Sequence, residues 1–99
     1  MLDRQYELSG VTFVWDEDNA RINPLVHGGV TFEQAAEVLF DPFLRVVDAS
    51  RHQGHRDKVI GRDARSKLLA VVHVEWHDEH IRLISAWPAT LEEREIYDS

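Results

Sequence analysis

The sequence predicts an α+β domain: an antiparallel sheet of about four to five strands, two helices near the N-terminus on one of its faces, and a short C-terminal helix. Three observations predict it. The stretch Lys67–Pro88 (KLLAVVHVEWHDEHIRLISAWP) holds two apolar segments around a polar turn, the signature of a long hairpin. Residues 16–42 hold two helix starts and two helix stops, and the residues after Pro88 hold a third start.

Taken in order, Val11–Trp15 (VTFVW) is a strand with Val11, Phe13 and Trp15 on one side. Asp16 is placed to cap a helix running to about Leu25, with Glu17 and Asp18 at the positive end of its dipole and Pro24 weakening its last turn. His27, Gly28 and Gly29 end it. Thr31 and Gln34 form a capping box for TFEQAAEVLF, whose Phe32, Ala35, Ala36, Leu39 and Phe40 share one face, and Asp41-Pro42 closes it. Phe43–Val47 and Arg56–Arg62 read as strands, and Leu68–Trp76 and Ile81–Trp87 as the central hairpin. Thr90 and Glu93 make another capping box, opening LEEREIYD. That last helix has only Leu91, Ile96 and Tyr97 to bury, so it docks at a sheet edge or meets a partner. Ninety-nine residues make one domain, 1–99.

Composition removes several classes. There is no cysteine, hence no disulfide, thiolate metal site or cysteine nucleophile. The longest apolar run in the central hairpin is the five residues Leu68–Val72, against roughly 20 for a membrane span, and Met1–Gly10 lacks the apolar core of a secretory signal. A cytoplasmic protein with no membrane contact is expected. Charge is uneven: residues 1–50 carry three Arg/Lys against nine acids, residues 51–67 six against two, and residues 68–99 two against seven. An acidic body repels polyphosphate at long range, yet the middle window can hold a phosphate locally; its plainer reading is a solvated, charged edge strand and loop.

The residues in their order resemble the BrnT family of bacterial type II toxins, small ribonucleases with a RelE-like fold. The resemblance is carried by Trp15-Asp16, Asn23 with His27-Gly28, Thr31-Phe32-Glu33, Phe40-Asp41-Pro42, Arg56 with Gly61, Leu68–Val72, Ile84-Ser85-Ala86, Ala89-Thr90 and Glu93-Arg94. It implies a toxin that cleaves RNA and blocks translation, needs no metal or cofactor, and is neutralised by a BrnA-like ribbon-helix-helix antitoxin, the complex binding operator DNA. Where the family places an Arg after Ser-Ala, this chain has Trp87; Val26 stands for the Lys before His-Gly, and Asp18 or Asn19 for an early helix Lys.

RNA cleavage by the 2′-hydroxyl needs a proton acceptor, a proton donor and cations where phosphorane charge develops. Arg56, in the basic window, matches the family's Arg and is the first candidate; Arg62 and Lys58 share its strand face by parity. His55, beside Arg56, is the best acid–base candidate, and His73, facing the same way as Glu75, is a second. His27 and Arg82 are candidate RNA contacts, each with a structural alternative: a helix stop for His27, an ion pair with Glu75 for Arg82. Trp87 is a candidate apolar anchor for the antitoxin. By alternation Arg82 and Trp87 share a face only if a bulge intervenes near Ser85. His73, His77 and His80 do not converge on a hairpin as they would on a helix, so no metal site is expected. The competing readings are a weakened or inactive relative serving as antitoxin-binding module and co-repressor, and a general RNA-binding domain, which the acidic balance disfavours.

Overall fold

The computed structural model describes residues 2–48, 56–75 and 79–99. Its elements are β1 (Asp3–Leu8), β2 (Val11–Asp16), α1 (Glu17–Val26), α2 (Phe32–Val38), β3 (Arg45–Asp48), β4 (Asp57–Arg62), β5 (Leu68–Glu75), β6 (Ile81–Pro88) and α3 (Leu91–Asp98). All six strands form one sheet in the order β1-β2-β6-β5-β4-β3.

The α+β class stands, but the expected sheet of four to five antiparallel strands is corrected on two points. Asp3–Leu8 form a strand, β1, joined to β2 through Ser9 and Gly10, both at positive φ (52° and 82°) as a two-residue hairpin turn demands. The sheet is also mixed, because β2 runs parallel to β6 through Phe13↔Ile81 and Val14↔Arg82. Parallel neighbours need a long crossover, and α1, α2 and three strands supply it.

The helix caps form as read. Asp16 accepts from the backbone of Asp18 and Asn19, and Thr31 and Thr90 each close a reciprocal capping box with Gln34 and Glu93. The core lies between α1, α2 and one face of the sheet: Phe13, Trp15, Val59, Leu69, Val71, Leu83 and Ala86 meet Phe32, Ala35, Ala36 and Val38, all of them buried. Trp15 and Phe32 meet edge to face with centroids 5.6 Å apart. Each such large side chain contributes about 1.5–3 kcal/mol by leaving water. Gly61 lets α2 approach: a Cβ there would lie 3.0 Å from Val38 Cγ1 and 3.2 Å from Asp41 Oδ2.

Candidate nucleic-acid interface

The second face of the sheet carries the charged candidates, and strand register shows which side chains share it. Lys58 pairs with Val72, Ile60 with Ala70 and Arg62 with Leu68, while across the hairpin Ala70 pairs with Trp87, Val72 with Ser85 and Val74 with Arg82. The register shifts between Val72 and His73, leaving Ile84 as the extra residue. This is the bulge that alternation required: Arg82 and Trp87 come to the same face as Lys58 and Arg62.

α3 lies on that face, and polar contacts hold it. Its Glu93 carboxylate, buried, accepts from Lys58 Nζ at 2.8 Å, Trp87 Nε1 at 3.1 Å and the Thr90 N–H at 2.9 Å. Burial pushes this carboxyl up, but those three donors and the Lys58 charge outweigh it and hold it below the usual carboxylate range. One turn on, the Tyr97 ring sits 5.3 Å from the Arg62 guanidinium and its hydroxyl donates to Asp41 Oδ2 at 2.7 Å. Asp41 Oδ2 also accepts the Arg62 N–H, plugging the edge of β4 beyond its last pairing with β3. Burial raises the Tyr97 hydroxyl above its ordinary value, and the bond to Asp41 adds to the rise. Arg45 Nη2 donates to the Ser99 carbonyl at the end of the helix.

The rim beside α3 is built by a buried amide. Asn23 donates to the Val30 and Ala86 carbonyls and accepts the Ala86 N–H, tying α1 and the Gly28-Gly29 turn to β6 immediately before Trp87. His27, which ends α1, therefore meets Trp87 with ring centroids 5.8 Å apart, and Lys58 Nζ lies 6.0 Å from the same Trp87 ring.

The site residues expected from sequence thus divide. Lys58, Arg62, Arg82, Trp87 and His27 come together on or beside one face. Lys58 is paired with Glu93, Arg82 with Asp3 at 3.0 Å rather than with Glu75, and Arg62 donates to the neutral Ser66 carbonyl at 2.8 Å. Arg56 precedes β4, half-buried, with no ion pair among the described residues. His73 pairs with Asp57 and Leu83 and so belongs to the core-side face; it is buried, and neither ring nitrogen has a hydrogen-bond partner among the described residues. Burial lowers its imidazole below the ordinary value, against the pull of Asp57 and Glu75. His55 and His77 lie outside the described residues, among which no group of three or more His, Asp or Glu is placed to hold a metal ion.

Beyond the rim lies a cleft of about 410 Å³ between the Gly28-Gly29 turn, the β4–β5 turn and α3, lined by Gly28, Gly29, Gln34, Arg62, Lys67 and Arg94 among others. Asp63 shapes the β4–β5 turn beside it without lining it: its Oδ1 accepts the Arg65 and Lys67 N–H groups, folding the turn in which Ser66 takes φ 67°. Reading the sequence by strand parity misses Glu93, Lys67 and Arg94 as members of the site, since all three meet the face from outside the strands. The basic window was the available signal for Lys67, and the Glu93-Arg94 pair, part of the resemblance, for the other two.

Fold and face define a small α+β domain that gathers cations, an aromatic ring and an imidazole on one side of its sheet within an acidic molecule. A family model described as "Ribonuclease toxin, BrnT, of type II toxin-antitoxin system" matches residues 15–93. The chain belongs to the BrnT family of ribonuclease toxins of type II toxin–antitoxin systems. A search of curated proteins finds no match. Among the described residues no helix is long and apolar enough to cross a membrane.

Proposed function

We propose that this chain is a cytoplasmic endoribonuclease toxin of RelE-like architecture that cleaves RNA on the α3-side face of its sheet and thereby blocks translation. Its partner is a BrnA-like ribbon-helix-helix antitoxin, and the complex binds operator DNA. The observation that supports this best is the bulge at Ile84, which brings Arg82 and Trp87 to the face of Lys58 and Arg62. The 2′-oxygen of RNA attacks the adjacent phosphorus, the 5′-oxygen leaves, and a 2′,3′-cyclic phosphate forms without metal or cofactor. Arg56 and Arg62 stabilise the phosphorane charge and His55 transfers the proton. Lys58, His27 and Arg82 contact RNA, and Trp87 offers a face for a base or an antitoxin side chain. His73 is left out of this set, because it faces the core.

A second reading rests on Glu93. By holding Lys58 and Trp87 it withdraws one cation and fixes an aromatic where the family has an Arg, which favours a weakened or inactive toxin acting as antitoxin-binding module and co-repressor. Purified chain incubated with single-stranded RNA in chelator distinguishes the two. The nuclease reading expects fragments ending in cyclic phosphate, and a gain of about a hundredfold to a thousandfold in rate for Trp87→Arg. No fragments from either protein would establish the non-catalytic reading. Loss of antitoxin binding in Trp87→Ala is expected under both.

A further inference from the structure

We infer that the cleft lined by Arg62, Lys67 and Arg94 is a phosphate-binding site, occupied by a backbone phosphate of RNA whose neighbouring base lies against Trp87. That a phosphate binds rests on the cleft alone; that RNA carries it rests on the nuclease reading above.

Three cations from three places in the chain converge there: Arg62 at the end of β4, Lys67 from the turn before β5, and Arg94 from the first turns of α3. Among the described residues no carboxylate lines the cleft. Acids beside it are already engaged: Asp63 accepts from the Arg65 and Lys67 backbone and from Gln34 Nε2, Asp41 from Phe43 N, Arg62 N and Tyr97 Oη, and Glu37 from Ala64 N. Among the described residues Lys67 and Arg94 have no ion pair, and both are exposed. Among the described residues the Arg62 guanidinium has no ion pair: it donates to the neutral Ser66 carbonyl and stacks on Tyr97, and the Asp41 carboxylate, close enough to feel its charge, is held by other donors.

In a chain of net charge −7, three such cations on one concavity repel one another unless an anion joins them. The opposite wall is glycine: Gly28 and Gly29 take φ 64° and 83°, and a Cβ on Gly28 would press to 3.1 Å of Pro88 Cγ. The wall is thereby low enough for an anion to reach the guanidinium groups, whose planar forks match phosphate oxygens. The volume falls in the roughly 300–1,000 Å³ range of ligand sites. Pro88 lines the cleft and directly follows Trp87, which places base platform and phosphate seat side by side along β6.

The test uses the full chain with two probes. Inorganic phosphate is titrated while the arginine side-chain Nε–H signals are followed by NMR, in wild type, in Lys67→Gln/Arg94→Gln and in Arg65→Gln as a nearby control. Saturable shifts at Arg62 and Arg94 are expected in wild type and Arg65→Gln, with the Arg62 shift lost in the double variant. No saturable shift, or one that survives the double substitution, would overturn the phosphate site and leave the nuclease reading standing. A single-stranded RNA oligonucleotide is then titrated at several salt concentrations. The double variant, with two fewer cations to displace counterions from the RNA, should show a log–log salt slope shallower by about 1.4. Phosphate shifts with an unchanged RNA slope would overturn the assignment to RNA, as would a wild-type chain that binds phosphate and no RNA, or a cleft that responds to an acidic peptide and not to the oligonucleotide.

Discussion

The two faces of the sheet are held by different physics. The side under α1 and α2 is dry and apolar, with phenyl and indole rings and branched aliphatics packed in one cluster. The side under α3 also buries Ile60, Ala70 and Leu68, but α3 is tied to it by a carboxylate, an ammonium, a guanidinium and a phenol; Glu93 is the buried residue of α3, while its Leu91 is 76% exposed. The difference teaches where stability resides and which face is left to present charge. Apolar packing is non-directional and strong, so it can define the fold without constraining what the other face presents. Charge pairs at a half-open surface contribute less, and each holds a cation that RNA could compete for.

Changes on the apolar side should therefore have the largest effect on folding. Phe32→Ala, which empties a site 1% exposed, is expected to cost about 3–5 kcal/mol in urea denaturation. Glu93→Gln comes next, at about 1–3 kcal/mol, because Lys58 loses its charged partner while the caps at Thr90 remain possible through the amide. Hydrogen exchange should localise that loss to α3, and the freed Lys58 should tighten RNA binding. An equal loss across all elements would erase the contrast between the faces.

The smallest effect sharpens the comparison from inside the apolar face, at the buried His73. The His73 imidazole is held below its ordinary value near 6.5, so on acidification the unfolded chain takes up the proton first. Its contribution to stability is present above that value and is lost as pH falls toward the folded value. His73→Leu removes two buried nitrogens that have no partner among the described residues, and should leave stability equal or up to about 1 kcal/mol higher at pH 7. The gap over wild type should widen as the pH is lowered below 6.5, read as thermal midpoints of both proteins across the series. A constant gap would mean that His73 keeps its ordinary affinity for protons.

Sequence made the local features legible. The caps at Asp16, Thr31 and Thr90, the glycine exit of α1 and the central hairpin each depend on residues within a few positions of one another. The features it left hidden are set by distant contacts. β1 reads as polar because its residues are mostly exposed, and its strand character comes from pairing with β2. Arg82 meets Asp3 across 79 positions, and Lys58 meets Glu93 across 35. The bulge could be stated only as a condition, since no residue type announces Ile84 as the extra one. Family membership was legible from ordered landmarks, several of which prove to be structural: Asn23 as the buried tie to β6 and Gly61 as the gap for α2.

If the α3 side of the sheet performs the chemistry while the other side maintains the fold, losing Arg56, two positions before Lys58, should cost cleavage and not stability. Arg56→Ala tests that most directly, with RNA cleavage and thermal midpoint measured on the same preparation. The expected result is a fall of about a hundredfold or more in cleavage rate with the midpoint unchanged. Cleavage that persists at the wild-type rate, or that falls only in step with unfolding, would contradict it.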